Sequence, residues 1–175
     1  MIDFDFNETF CAAIILDIAP NHVFDGMSVL NLVKRNIASS LNKNFEDFRV
    51  FVSGTGRECM PLKTGESVNA LQTFKTPVGR NFGQEFQTCC RVLSVVTDVK
   101  CKKCFYIFDK LNLNTVKRFV QSGKSVENCQ FVMLQIGTMQ DDEINKVVQN
   151  EENISFHKIE NPNQLSKFFG DNDGR

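Results

Sequence analysis

The sequence has no tryptophan and a single tyrosine, against seventeen phenylalanines. Aromatic bulk without polar tips suits a packed interior; it does not suit a base-stacking platform or a sugar site. There are two histidines and four prolines. No apolar run approaches the roughly 18 residues of a membrane span. Lysine and arginine together number 20 against 21 acids, a net charge of −1. That balance excludes the broad basic footprint of a protein that grips nucleic acid with its own surface. The one small basic cluster, Lys100, Lys102 and Lys103, reads as a solvated loop. The acidic start, Met1-Ile2-Asp3-Phe4-Asp5-Phe6, lacks the basic flank of a secretory signal. Seven cysteines, an odd number, then read as reduced thiols of an intracellular protein.

What is present is enough for one domain. At 175 residues and 42% hydrophobic, a real core can form. Residues 1–170 read as a single domain and 171–175 as a polar tail. The chain is organised around Cys11 to Asn21, an apolar run that stops on Asp17 and breaks at Pro20. Such a run predicts a strand buried on both faces, inside a parallel sheet.

The remaining elements follow in order. Gly26 to Leu41 reads as a helix, with Val29, Val33, Ile37 and Leu41 on one stripe. Phe48 to Ser53 reads as a strand, and Cys59 to Leu62 as an antiparallel edge strand returning from the Gly54-Thr55-Gly56 turn. Val68 to Phe74 fits a short strand or a helical turn. Pro77 to Gly83 reads as a loop, followed by a helix with Phe86, Cys89, Cys90, Leu93 and Val96 on one face. Cys104 to Phe108 is a buried strand ending on Asp109. Asn114 to Ser122 is a helix capped by an asparagine. Phe131 to Ile136 is a strand ended by Gly137. Asp141 and Asp142 open a helix, Ile154 to Ile159 is a strand, and Asn161-Pro162 starts a last helix. This alternation predicts an α/β three-layer sandwich: a mostly parallel central sheet, one antiparallel edge strand, and helices on both faces.

Asp17 and Asp109 end two central strands, where ligands bind in open α/β sheets. A Gly-rich loop, Gly79 to Gly83, enters a helix between them in sequence. This combination resembles the von Willebrand factor A (vWA) family, whose members carry Asp-x-Ser-x-Ser after the first strand, a threonine in a Gly-rich loop and a later aspartate. In that family these residues bind a divalent metal. Asp17 and Asp109 match the two aspartates. Ala19 stands at the first serine and offers no oxygen. Asn21 stands at the second, and Arg80 falls near the threonine. A hard cation wants several close oxygens, so the resemblance implies a degenerate metal site with no bound metal and no cofactor. Its rim would be Asp17, Asn21, Arg80 and Asp109, with the Arg80 guanidinium pairing with the acids in place of the ion.

Within that family, Ile14-Ile15-Leu16-Asp17-Ile18-Ala19-Pro20 resembles the first strand of the N-terminal domain of the larger Ku subunit. Phe51-Val52-Ser53-Gly54-Thr55, Gly83-Gln84-Glu85-Phe86 and Lys102-Lys103-Cys104-Phe105 are similar to its later strings, in the same order. The resemblance implies a non-catalytic docking domain in a nuclear DNA-end-joining or telomere complex. Its partners would be proteins, including a Ku-type heterodimer partner and recruited peptide motifs. DNA would be engaged only indirectly and no membrane would be involved. The alternatives are another intracellular vWA scaffold, in a ubiquitin-linked or transcription assembly, and a metal-dependent hydrolase using Asp17 and Asp109.

Other constellations carry less. Cys101-Lys102-Lys103-Cys104 lacks the second pair that structural zinc needs and precedes a strand rather than a helix. Gly54-Thr55-Gly56 lacks the Lys-Ser/Thr ending of a phosphate loop. No nucleophile elbow is present. His22 reads as an exposed histidine near the rim, and His157 as a surface residue beside Lys158.

Overall fold

The computed structural model describes residues 11–19, 21–43, 49–53, 59–62, 82–95, 102–110, 112–137 and 142–169. Arg80, Cys101, Val68 to Phe74 and the 171–175 tail lie outside them.

The β-strands are β1 (Cys11–Asp17), β2 (Val23–Phe24), β3 (Met27–Ser28), β4 (Arg49–Ser53), β5 (Cys59–Leu62), β6 (Lys102–Phe108), β7 (Cys129–Ile136) and β8 (Ile154–Ile159). The α-helices are α1 (Val29–Lys43), α2 (Phe82–Val95), α3 (Leu113–Gly123) and α4 (Asp142–Val148), and a 3₁₀ helix, Pro162–Phe169, closes the described chain. Six strands form one sheet in the order β5-β4-β1-β6-β7-β8. All neighbours pair in parallel except β4 and β5, which are antiparallel. The expected antiparallel edge strand is therefore present, and β1 is central.

Strand alternation divides the core into two layers. Ala12, Ile14, Leu16, Phe105, Ile107, Val132 and Leu134 face α1 and the 3₁₀ helix. Ala13, Ile15, Tyr106, Phe108, Phe131 and Met133 face α2, α3 and α4. With both faces covered, the strands need no polar alternation, which is why they read as continuous apolar runs. The second layer is largely aromatic. Phe119 lies 5.2 Å from Phe86, 5.6 Å from Tyr106 and 5.3 Å from Phe131, between ring centroids. Tilted and edge-on geometries of this kind are the favoured ones. Gly123 lets α3 approach closely: a Cβ there would lie 3.1 Å from the Phe131 ring and 3.2 Å from Ile154 Cδ1.

Asparagines secure the joints. The Asn153 amide donates to the carbonyls of Gly123 and Cys129 at 3.0 and 3.2 Å, tying the end of α3 to the start of β7. At the 3₁₀ helix, Asn161 Oδ1 accepts from the Asn163 N–H and Gln164 Oε1 accepts from the Asn161 N–H. This reciprocal arrangement caps the helix, and Pro162 opens it at a position where its missing N–H costs nothing.

Several expectations need correction. The stretch 23–28 is a β-hairpin, so α1 begins at Val29 rather than Gly26. Asp25 and Gly26 both have positive φ, 51° and 75°, which is the backbone of a type I′ turn. Ser28 Oγ then accepts from the Asn31 N–H and caps α1. The cap of α3 is Asn112, whose side chain accepts from the Thr115 N–H at 3.2 Å; Asn114 lies inside the helix. Lys102 and Lys103 belong to β6 rather than to a solvated loop, and Lys103 has no exposed surface. His157 is not a plain surface residue: it is half-buried, with its ring 4.9 Å from that of Phe168.

Candidate functional site

The sheet order reverses at β1. The chain runs outward from β1 through β4 to β5, then crosses back to β6, β7 and β8 on the other side. Such a switch point opens a crevice at the carboxyl ends of the two central strands. Asp17 ends β1 and is in register with Phe108, the last residue of β6; Asp109 comes next. The Asp109 N–H donates to the Asp17 carbonyl at 3.4 Å. The structure thus brings two of the expected rim residues to one place.

Their carboxylates have different partners. Tyr106 Oη donates to Asp17 Oδ2 at 2.6 Å. Tyr106 is paired with Ile15, so Asp17 is two residues further along on the same face of the neighbouring strand. That diagonal is within reach of a long aromatic side chain. Asp109 turns the other way, across the end of β1. Its Oδ2 accepts the Ala19 N–H at 3.0 Å and lies 3.0 Å from His22 Nδ1. The Asp109 side chain is 5% exposed and that of His22 35%.

His22 does more than the exposed role expected of it. Its N–H donates to the Ala19 carbonyl at 3.1 Å, and its own carbonyl accepts from Val29 N–H at 2.9 Å. The residue fixes both the turn after β1 and the root of the β2–β3 hairpin. Two signals in the sequence point to this. Asp25-Gly26 between apolar residues is a strong hairpin marker, and a hairpin rooted at residue 22 brings His22 back to the strand end.

Asn21 is exposed on the rim of a cleft of about 490 Å³. Asp109, Lys110, Ile136, Gly137 and Glu160 contribute the ends of β6, β7 and β8 to its wall, and Phe24 and Val29 close the near side. The hairpin above it leaves Val23, Phe24 and Met27 exposed, at 60%, 38% and 42%. Arg80, the fourth expected rim residue, lies outside the described residues, as does its proposed pairing with the acids.

The described groups do not fit the divalent cation that the family resemblance brings to mind. A magnesium-type ion needs about six oxygens in tight octahedral array. Ala19 supplies none, and its N–H, a donor, already occupies Asp109 Oδ2. Among the described residues, no three of His, Cys, Asp and Glu cluster in a way that could hold a metal. Among the described residues, the thiols offer no alternative chemistry. Cys89, Cys104 and Cys129 are buried, and burial raises the Cys90 thiol above its ordinary value against a weaker opposing bond from Ser125. Such thiols are poor nucleophiles.

No protein-family model matches the sequence, and no curated protein matches it significantly. Solved structures do match by shape. A von Willebrand factor type A protein from Catenulispora acidiphila superposes over 93% of this chain and 41% of its own, with TM-score 0.60 and 15% identity. VWA2, the ArnB paralog of Sulfolobus acidocaldarius, matches over 91% of this chain and 43% of its own, with TM-score 0.53 and 16% identity. This chain thus spans less than half the length of either. The SpRpn10 VWA domain is covered over 92% of its length, and 90% of this chain, at TM-score 0.57 and 12% identity. Among the described residues no helix is long and apolar enough to cross a membrane. The strand order, the two covered faces and these neighbours together establish a von Willebrand factor A-type α/β fold.

Proposed function

We propose that this chain is a non-catalytic protein-docking domain whose strand-end acids work without a metal. One observation carries the reading: both acids at the switch point are engaged by protein donors, Asp17 by Tyr106 and Asp109 by Ala19 and His22. A hydrolase would need a carboxylate lone pair aimed at substrate, or a metal-bound water in the crevice. The vWA fold suits docking in general, since its strand ends and helices offer a rigid frame for variable loops.

The finer reading is a Ku-like domain acting in a nuclear DNA-end-joining or telomere complex, within a heterodimer and with DNA engaged through other parts of the assembly. It rests on the four short strings of the sequence. Their described parts belong to the end of β1, the end of β4, the first turn of α2 and the start of β6.

The test is recovery of this chain from its native cell extract, with and without nuclease, followed by identification of the retained proteins. The Ku-like reading expects a Ku-type partner or end-joining and telomere proteins, some lost on nuclease treatment. Retention of transcription or ubiquitin-linked assemblies, insensitive to nuclease, would remove the Ku reading and leave a docking domain of another kind.

A further inference from the structure

We propose that Lys158 guards the open edge of the sheet. Its ammonium, turned into the interior beneath β8, keeps that strand from pairing with the β8 of a second copy of this chain.

The sheet ends on β5 at one side and on β8 at the other. β5 carries Pro61, which has no N–H to give a further strand. β8 contains neither proline nor glycine. Its bonds to β7 show which backbone groups are left over. The Phe131 N–H donates to the Asn153 carbonyl at 2.8 Å, and the Gly137 N–H to the Ile159 carbonyl at 2.9 Å. In a parallel ladder alternate residues face the neighbour, so the odd-numbered residues of β8 face β7. Ile154, Phe156 and Lys158 turn their N–H and C=O groups outward, and among the described residues no strand lies beyond them. A row of unpaired groups of this kind is a template for another chain.

The side chains of the same three residues share one face. Ile154 belongs to the second core layer and Phe156 packs against it; strand alternation puts Lys158 on that side too. With an apolar residue at 158, β8 would read Ile-Ser-Phe-His-x-Ile. That is a six-residue window of strong strand formers without proline, glycine or charge at neutral pH, since burial holds His157 below its ordinary value. Such a window on an open edge self-associates. Lys158 is what interrupts it.

The placement of the ammonium explains how. Lys158 Nζ is buried and has no hydrogen-bond partner. Gln135, in register with it on β7, is 2% exposed and leaves its own Oε1 unpartnered. No acid holds the charge in place, and an unpaired ammonium is tolerated in an interior only while it can return to water. The Lys158 residue as a whole is half-buried, so its long stem can carry the charge out past the open flank of the strand. A second β8 laid antiparallel against the first would close that flank on both copies and trap two unpaired cations. The cost of trapping them opposes the pairing.

The test compares the full chain with Lys158→Met, which keeps the stem and removes the charge, with Lys158→Ala, and with Lys158→Arg, which keeps the charge. Circular dichroism checks the fold of each. Sedimentation equilibrium over a series of concentrations is expected to show the mass of Lys158→Met and Lys158→Ala rising above that of the parent, toward dimers and larger species. Lys158→Arg should follow the parent. Amide hydrogen exchange, read residue by residue by NMR, locates the contact. In the parent the amides of Ile154, Phe156 and position 158 should exchange freely while those of Ser155 and His157 are protected. In the methionine variant the first three should become protected as concentration rises. Uncharged variants whose mass follows the parent at every concentration overturn the proposal. So does association that leaves the outward amides unprotected, or protection of those amides already in the parent. Loss of the fold in both uncharged variants makes Lys158 a structural residue and overturns it as well.

Discussion

Tyr106, the single tyrosine of the chain, gives its hydroxyl proton to Asp17 across the β1–β6 pair at 2.6 Å. The ring lies in the aromatic layer, 5.5 Å from Phe86 and 4.6 Å from Phe108, while its tip reaches the end of the neighbouring strand. Replacing it with phenylalanine keeps the packing and removes the donor. A hydrogen bond to a charged group contributes about 1.5–3 kcal/mol. For a chain of this size each kcal/mol moves the melting temperature by about 2–4 °C. Tyr106→Phe is therefore expected to melt several degrees lower, by calorimetry, with an unchanged circular dichroism spectrum. An unchanged melting temperature would mean that the Asp17 bond contributes nothing.

Magnesium and manganese should bind weakly, with dissociation constants above roughly millimolar, or about −4 kcal/mol. The Ala19 N–H takes one Asp109 oxygen, and Ala19 has no side-chain oxygen to add to the shell. His22→Ala removes the ring from the same oxygen without adding a ligand, so it should not create affinity. Isothermal titration of both proteins checks this, and tight binding to either would return the site to metal chemistry.

His157 should make stability fall on acidification. Burial, and behind it the charge of Lys167, hold this histidine below its ordinary value. The unfolded chain therefore takes up the proton more readily than the native one. The contribution is fully present above the unfolded value, about 6.5, and is lost as pH drops through the folded value. Between pH 7.5 and 5 the melting temperature should decline less in His157→Gln than in the parent protein. Parallel curves would assign the pH dependence to other groups.

Asn112 and Asn114 offer a paired test. Only Asn112 caps α3, through its bond to the Thr115 N–H. Asn112→Ala should cost about 1 kcal/mol of stability. Asn114→Ala, inside the first turn, should be neutral or slightly stabilising, because alanine is the better helix former. Urea midpoints for the two variants measure the difference.

These cases show where sequence reading carries and where it stops. β1, the latter part of β6 and most of β7 were legible because each is a largely apolar run closed by an acid or glycine, and burial on both faces favours that pattern. The antiparallel return of Cys59 to Leu62 was legible from its turn chemistry. Lys103 was not: one charged residue beside another suggests solvent, but in β6 the alternation takes it into the interior. The asparagine cap of α3 was legible but its position was not, because Asn112 and Asn114 are equivalent in type, and only the backbone decides which side chain meets an orphan N–H. At the site, Asp17 and Asp109 could be named from their strand-end positions. Tyr106 could not, because its contact depends on a cross-strand diagonal that has no trace in one dimension. His22 was reachable only through the Asp25-Gly26 hairpin signal, which was passed over in favour of a helix start.

The hairpin has one more consequence. Its two ends meet where Val29 N–H reaches the His22 carbonyl, so everything from Val23 to Ser28 hangs from a closed gate. The entropy of closing a loop rises only with the logarithm of its length, about 0.6 kcal/mol for each doubling. Residues added at the Asp25-Gly26 tip would therefore lengthen the overhang without disturbing the strands beneath it. This is a place where the chain can gain length, and change what hangs over the cleft, while the sheet stays as it is.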